Sequence, residues 1–160
     1  MIGDVAGLDV LDIGCGDGLL AAELSSSGAR VAGIDPDAAM LRAAAKRTGG
    51  QDIGFVQGRI EALPFPDASF DLVTAVTVLC FVKGEATAWS EMARVLRPGG
   101  RLVIGELGRW SLWALRRRIR GWLGSRLWRS AAFHSARQLR RAAAAASLVI
   151  DDVRGAVFHP

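Results

Sequence analysis

Short apolar runs alternate with stretches of helical composition over the first two thirds of the chain, and no other feature constrains the fold as strongly. The runs predict strands at residues 9–13, 30–34, 53–57, 70–76 and 101–106, with helices at 19–27, 38–47 and 85–96. Strands that are apolar throughout are buried on both faces, and right-handed crossovers place the connecting helices on those faces. The sequence therefore predicts an α/β fold, a three-layer sandwich around a mostly parallel sheet.

A different pattern follows Leu107, where the chain becomes rich in arginine and tryptophan. Helices are predicted at roughly 110–129 and at 136–146, and a last strand at about 148–158. A chain of 160 residues has the size of one domain. We expect a single domain over residues 1–160, with a core at 1–107, a helical segment at 108–147 and the last strand at 148–158.

The composition argues against a metal enzyme and against a secreted or membrane-spanning protein. The chain has two cysteines, Cys15 and Cys80, and two histidines, His134 and His159, which are too few for a metal cluster or a disulfide framework. Its first residues lack the pattern of a signal peptide, and no apolar stretch approaches the length that spans a bilayer. We expect no metal, a reducing compartment and a cytoplasmic location.

A glycine-rich turn after the first strand is the strongest local motif. The sequence VLDIGCGDG runs from Val10 to Gly18 and leads from a strand into a helix. Glycines at such a turn let the backbone fold tightly and approach a ligand closely. Asp35 ends the second strand, 21 residues after Gly14, where a carboxylate accepts hydrogen bonds from ribose hydroxyls. These residues predict a nucleoside site at the carboxyl edge of the sheet.

Two features favour S-adenosylmethionine over a nicotinamide dinucleotide as the ligand. The glycines are spaced Gly-x-Gly-x-Gly, whereas the dinucleotide motif is Gly-x-Gly-x-x-Gly. Asp12 stands just before them, and an anion there opposes a pyrophosphate but suits a ligand that carries an ammonium and a sulfonium. A purely structural turn and a nicotinamide-dependent oxidoreductase stay open as alternatives at this point.

Longer motifs carry a resemblance to a protein family. Glu61–Asp71 reads EALPFPDASFD, and Arg94–Gly100, ahead of the fifth strand, reads RVLRPGG. With the glycine motif and Asp35, these motifs make the chain similar to class I S-adenosylmethionine-dependent methyltransferases of the ubiquinone/menaquinone-biosynthesis kind, type 11. The resemblance covers residues 8–106. It implies a Rossmann-like fold, S-adenosylmethionine as cofactor and direct in-line methyl transfer to a small-molecule acceptor.

The resemblance also implies which residues hold the methyl donor. Asp35 would bind the ribose diol, Pro36 would lie against the adenine, and Asp12 would lie near the amino group. The proline-rich segment Leu63–Asp67 would cap the adenine side as a rigid loop. The remaining positions would face the methionine and ribose: Gly14, Cys15, Gly16, Gly18, Ala75 and Val76.

One position departs from the family pattern at the adenine edge. Arg59 stands where the family usually has an Asp. A guanidinium cannot accept the hydrogen of the adenine amino group that a carboxylate would accept. Adenine recognition would then depend on the backbone of Ile60, and weaker donor affinity is expected.

Residues for the acceptor and for catalysis are less defined. Thr77, Cys80 and Phe81 match the segment that often meets the acceptor in the family. Cys80 lies among apolar residues and is expected to be a buried structural thiol. His134 precedes a helix and is expected at the surface or as a capping residue. Because a sulfonium is already an activated donor, alignment and exclusion of water can supply most of the acceleration, and no catalytic residue is assigned.

Between Leu107 and Ile150 the chain holds ten arginines and no acidic residue. Three explanations stay open for Trp110–Arg129: a solvated arginine face over core tryptophans, a helix on an anionic membrane, or a surface that binds nucleic acid or another anion. No specific nucleic acid is expected as partner. In the membrane interpretation the protein would be membrane-peripheral, and its acceptor would be a lipid or quinone-like molecule.

The sequence lacks segments that the family usually has. Few residues precede the first strand, where helices usually help to cover the acceptor, and the seventh, antiparallel strand is missing. We expect either a fragment or a reduced protein, whose exposed sheet edge would allow a homodimer. The alternative of a different class is a truncated, cofactor-binding subunit without catalytic activity.

Overall fold

The computed structural model describes residues 2–107 and 131–154. Five parallel strands form one sheet in the order β3-β2-β1-β4-β5. The strands are β1 (Asp9–Ile13), β2 (Arg30–Asp35), β3 (Ile53–Gln57), β4 (Phe70–Val76) and β5 (Leu96–Gly105). The strand order reverses between β1 and β4, and ligands of such sheets bind at the carboxyl ends of the strands at this point.

In the part of the chain that the structure describes, four helices connect and cover the strands: α1 (Leu19–Ser26), α2 (Ala38–Arg47), α3 (Glu85–Val95) and α4 (Ala136–Ala145). A short 3-10 turn, Leu79–Phe81, lies between β4 and α3. The side chain of Asp37 caps α2, and Ser135 and Gln138 form a capping box at the start of α4. Each cap satisfies backbone N–H groups that a helix leaves unpaired, which fixes where the helix begins.

Two apolar clusters cover the two faces of the sheet. Leu11 and Val73 point to one face, where they belong to the same cluster as Trp89 and Met92 of α3. Val10 and Leu72 point to the other face, in a cluster that includes Leu24 of α1. Adjacent strand residues therefore alternate between the faces, and both faces are buried. The predicted α/β Rossmann-like sandwich is confirmed.

The fifth strand starts earlier than predicted. It begins at Leu96 because Leu96 pairs with Phe70 before the RPGG segment, and regular pairing resumes between Leu72 and Arg101. The shift in register at this point accommodates the two glycines, of which Gly99 has a φ of 79°.

The predicted last strand is wrong over residues 148–154, which form no strand. Val149 is 87% exposed and Val153 is 48% exposed. Apolar residues favour a strand through packing and pairing, and these side chains have solvent on most sides. Residues 155–158 of that prediction, and the predicted helix at 110–129, lie outside the described residues. Among the described helices, none has the length and apolar character needed to cross a membrane.

Candidate functional site

The glycine turn closes the carboxyl end of β1 against the end of β2. The backbone N–H groups of Gly14 and Cys15 both donate to the carbonyl oxygen of Ile34, at 2.7 and 3.1 Å. Gly14 has a φ of 66°, and a Cβ added there would lie 2.5 Å from Cγ2 of Val78. Only glycine fits this position without moving its neighbour, so Gly14 lets the turn pack closely against Val78.

Asp35 is fixed so that its carboxylate reaches the glycine turn. Its Oδ2 accepts a hydrogen bond of 3.0 Å from the backbone N–H of Gly16, and its Oδ1 accepts one of 2.8 Å from Asp37. The residue is 9% exposed. Each carboxylate oxygen keeps a second lone pair, so the group can still accept hydrogen bonds from a ligand diol.

Asp12 is the buried anion of the site. It is 2% exposed, and its Oδ1 accepts a 2.8 Å hydrogen bond from Oγ1 of Thr74. Its Oδ2 is buried and has no hydrogen-bond partner among the described residues. Burial raises the pKa of Asp12 to about 6, and the nearby charge of Asp35 adds to this rise. A buried carboxylate oxygen without a partner is costly, and a cationic ligand would satisfy it.

Cys15 points into the protein and packs there. Its Sγ would lie 3.0 Å from a Cβ added to Gly33, which places the sulfur against β2. Burial and the charges of Asp12 and Asp35 raise the pKa of the thiol to about 12. The thiol stays protonated at neutral pH and is therefore not a nucleophile.

Residues predicted for the adenine side divide into a buried and an exposed group. Ile60 is buried, at 4% exposure. Pro36 is exposed, and its carbonyl oxygen accepts a 3.1 Å hydrogen bond from the side chain of Gln57. Arg59 keeps 65% of its side chain exposed and is 3.5 Å from the carboxylate of Glu61. The departure from the family pattern thus places a cation in solvent beside the buried Ile60.

Arg94 anchors the proline-rich segment Leu63–Asp67 to α3. Its guanidinium donates to the carbonyl oxygens of Leu63 and Phe65, at 3.0 and 2.8 Å, and to the carboxylates of Asp67 and Glu91. Glu91 in turn accepts a 2.7 Å hydrogen bond from the backbone N–H of Leu63. The segment is held in place at both ends, as the predicted rigid loop requires.

The predicted acceptor segment follows β4. Thr77 has a φ of 57°, and its N–H donates to the carbonyl oxygen of Gly105 at 2.7 Å. Ala75 is fully buried, whereas Val76 is 47% exposed. Cys80 is 1% exposed, which agrees with a structural thiol, and Phe81 is half-buried.

Glu106 is a site residue that the sequence did not indicate. It follows β5 and accepts hydrogen bonds through Oε1 from the backbone N–H groups of Val78 and Leu79, at 3.1 and 2.8 Å. Its Oε2 is buried without a partner among the described residues. Burial raises the pKa of this carboxyl. Its partners lie more than 25 residues earlier in the chain, so no local pattern could have shown the contact.

The expectation of a surface or capping role for His134 is wrong. The residue is 6% exposed, and its Nε2 lies 2.7 Å from Oε1 of Glu85. Ser135, the next residue, provides the cap of α4 instead. The backbone N–H of Ala132 donates to the carbonyl oxygen of Cys80 at 2.7 Å, which holds the histidine segment against the 3-10 turn.

The structure therefore brings Asp12, the glycine turn and Asp35 together at the switch point of the sheet. Glu106 and His134 lie beyond the segment that follows β4, on the side predicted for the acceptor. Residues 11–104 match the family model described as a methyltransferase domain, type 11. The chain belongs to this methyltransferase family.

Two curated relatives of the chain are methyltransferases whose names refer to quinones. A ubiquinone biosynthesis O-methyltransferase from a Methylobacterium species is 33% identical over 98% of this chain and 66% of its own length. A demethylmenaquinone methyltransferase from Clavibacter sepedonicus is 41% identical over 66% of this chain and 43% of its own length. The chain therefore spans between 43% and 66% of the length of these two relatives.

A solved S-adenosylmethionine-dependent methyltransferase from Mesorhizobium loti matches the fold with a TM-score of 0.61 at 30% identity. The match covers 64% of this chain and 49% of that protein. The family and this neighbour identify S-adenosylmethionine as the cofactor of the methyltransferase. The nicotinamide-dependent alternative that the sequence left open is set aside.

Proposed function

We propose that the chain binds S-adenosylmethionine at the glycine turn and transfers its methyl group to a small, quinol-like acceptor. The observation that carries the proposal is the unpaired, buried Oδ2 of Asp12 next to the glycine turn, where a Cβ added to Gly16 would meet no atom closer than 4.0 Å. A buried anion at this place disfavours a phosphate and favours a cation. The methionine part of the donor carries two cationic groups.

In this proposal, different residues of the site bind different parts of the donor. Asp12 pairs with the ammonium, and Asp35 accepts the ribose hydroxyls from its fixed position beside Gly16. Pro36 and Ile60 border the adenine, and Leu63–Asp67 covers it. The other glycine-turn residues and the backbone of Ala75 and Val76 face the methionine.

When bound, S-adenosylmethionine supplies a methyl group on a sulfonium that leaves as a neutral thioether. The protein needs to align the acceptor with this methyl group and to exclude water. Fully buried side chains at the carboxyl end of the sheet, among them Ala75 and Leu79, are suited to exclude water. Thr77 and Phe81 lie where an acceptor would enter, and Cys80 supports them from the core.

The names of the relatives support a quinol-like acceptor, since one methylates in ubiquinone biosynthesis and the other acts on demethylmenaquinone. The first name specifies transfer to oxygen, and the name of a further relative, a ubiquinone/menaquinone biosynthesis C-methyltransferase, specifies transfer to carbon. We propose further that residues 1–107 hold the donor and that 108–147 shape the acceptor pocket. Because the chain spans part of its relatives, a donor-binding subunit without turnover is the alternative function.

Contact with an anionic membrane through Trp110–Arg129 is a separate proposal, and so are a cytoplasmic location and a homodimer. The exposed Arg137, Arg140 and Arg141 extend the basic character of that segment into α4. Co-sedimentation with vesicles tests the membrane contact. Equal binding to neutral and anionic vesicles would contradict it, and light scattering reports the oligomeric state.

The cofactor proposal is tested by isothermal titration of the purified chain with S-adenosylmethionine and, separately, with NAD. We expect binding of S-adenosylmethionine alone, abolished in Asp35→Ala. Asp52→Ala is the matched control because Asp52 is exposed and lies outside the site. Binding of NAD, or retention of donor affinity in Asp35→Ala, would contradict the proposal. Donor binding without methyl transfer to any quinol would support the non-catalytic alternative.

A further inference from the structure

Four polar side chains lie on α3, just after β5 and just before α4, and are called the polar cluster below: Glu85, Trp89, Glu106 and His134. Trp89 and His134 are buried, Glu106 is partly buried, and Glu85 keeps 43% of its side chain exposed. Glu85 and Trp89 are four residues apart on α3 and therefore lie on the same side of that helix. Three atoms of the cluster are buried without a hydrogen-bond partner among the described residues: Nε1 of Trp89, Oε2 of Glu106 and Nδ1 of His134.

The contact with Glu85 determines the proton arrangement of His134. A carboxylate can only accept, so Nε2 of His134 donates to Oε1 of Glu85 across the 2.7 Å between them. In the neutral imidazole the lone pair is then on Nδ1, the nitrogen that has no partner. A carboxylate that orients a histidine in this way leaves the second nitrogen as a base.

The unpaired atoms complement the polar group of a ligand. Trp89 offers a donor, whereas Nδ1 of His134 offers an acceptor and Oε2 of Glu106 is the free oxygen of a fixed carboxyl. Buried polar atoms are rarely left unsatisfied, and a cluster of them indicates a polar occupant. A hydroxyl group, which donates and accepts at once, matches this set.

The cluster is adjacent to the proposed donor site. Val78 packs so close to Gly14 that an added Cβ would lie 2.5 Å from it, and the N–H of Val78 donates to Glu106. Burial raises the pKa of Glu106, and a protonated His134 would lower it, so the two side chains lie within electrostatic range of each other. One residue, Val78, thus separates the glycine turn from the cluster.

We propose that the polar cluster binds an ionisable hydroxyl group of the acceptor and that Nδ1 of His134 takes its proton during methyl transfer. This inference deepens the proposed function and rests on it. The hydroxyl oxygen forms the new bond to the methyl carbon, and the carbon–sulfur bond breaks with its electron pair going to sulfur. The proton moves to Nδ1 and is released to water afterwards. The acceptor class is an aromatic hydroxyl compound such as a catechol.

Nuclear magnetic resonance of the full chain, labelled with 15N-histidine, tests the binding step without turnover. The chain has two histidines, so His134→Gln assigns the signals. We expect a proton on Nε2 of His134, and a shift of the Nδ1 signal when catechol is added with S-adenosylhomocysteine. An Nδ1 signal that catechol leaves unchanged would mean that water alone occupies the cluster, and would overturn the inference.

Methyl transfer from labelled S-adenosylmethionine to catechol tests the catalytic step. His134→Gln keeps a donor toward Glu85 but has no basic nitrogen, and we expect a loss in kcat of about 100-fold or more. Its affinity for S-adenosylmethionine should be unchanged, which also shows that the variant is folded. Glu85→Gln should lower kcat less, and His159→Gln is the control. A wild-type rate in His134→Gln would overturn the inference.

The outcomes distinguish a failure of this inference from a failure of the proposed function. A chain that binds no S-adenosylmethionine contradicts the proposed function, and the response of Nδ1 to catechol alone then decides whether the cluster binds a hydroxyl. A chain that binds both compounds but methylates only a carbon acceptor, such as demethylmenaquinol, keeps the proposed function and overturns the role of His134.

Discussion

Thr74 and Asp12 lie opposite each other on β4 and β1, and the hydroxyl of Thr74 donates a 2.8 Å hydrogen bond to Oδ1 of Asp12. Both side chains are buried, at 0% and 2% exposure. One hydrogen bond does not replace the solvation that a carboxylate loses on burial, so the pKa of Asp12 still rises from 3.8 to about 6. Ionised Asp12 therefore destabilises the free chain at neutral pH.

Asp12→Asn should stabilise the free chain and weaken donor binding. Because the folded-state pKa of Asp12 lies above its unfolded value, stability falls as the pH rises from 3.8 to about 6, and the cost is fully present at pH 7. We expect the free energy of unfolding at pH 7 to rise by about 1–3 kcal/mol in the variant. Urea denaturation measures this change. Asp52→Asn, at an exposed position, should leave the stability unchanged.

Donor affinity should decrease in acid. A bound cation favours the ionised form of Asp12, so affinity falls as the pH drops below the free-state pKa of about 6. Between pH 7 and pH 5 we expect a decrease of about tenfold in the binding constant. Isothermal titration across this range measures the effect. Asp12→Asn should give a flat profile, and an equally steep profile in that variant would assign the effect to another group.

Gly14→Ala should cost more stability than Gly7→Ala. Both glycines have a positive φ, 66° and 74°, so both substitutions carry the backbone strain of the left-handed region. A Cβ on Gly7 meets no atom within 4 Å, whereas one on Gly14 lies 2.5 Å from Val78. We expect an additional loss of about 1–3 kcal/mol for Gly14→Ala from this overlap.

Thermal unfolding of the two alanine variants measures the difference. Val78→Ala added to Gly14→Ala should recover part of the loss, because it removes the side chain that clashes. Equal destabilisation of the two single variants would show that the backbone alone determines the requirement for glycine.

Arg94→Lys should loosen the segment Leu63–Asp67. An ammonium cannot reach both carbonyl oxygens and both carboxylates that the planar guanidinium contacts, so carbonyl groups lose their donors. We expect the free energy of unfolding to fall by about 1–2 kcal/mol and donor affinity to fall with it. Arg42→Lys, at an exposed position on α2, is the matched control. Lower stability with unchanged donor affinity would show that the segment does not contribute to adenine binding.

The elements that the sequence could predict are those whose cause is local. The apolar run of β3 and the capped helix α2 have the predicted bounds, Ile53–Gln57 and Ala38–Arg47. The turn at Gly14 was predictable because closely spaced glycines after a buried strand allow the backbone conformations that a tight turn needs. The place of Asp35 at the carboxyl edge of the sheet was predictable because this residue ends β2.

The features that sequence reasoning missed depend on contacts between distant segments. His134 meets Glu85 across 49 residues of the chain, and neither residue is part of a local motif. The error at residues 148–154 has the related cause that a strand needs a partner, which no run of apolar residues specifies. Burial of Glu106 likewise depends on how β5 meets the segment after β4.

The position of Val78 has a consequence for how the donor and the acceptor influence each other's affinity. Its side chain meets the backbone of Gly14, and its N–H donates to the carboxylate of Glu106, so one residue contacts both halves of the proposed reaction centre. If occupation of one half shifts Val78, the geometry of the other half changes with it. Donor and acceptor affinities are then coupled, and linkage requires the coupling factor to be the same in both directions.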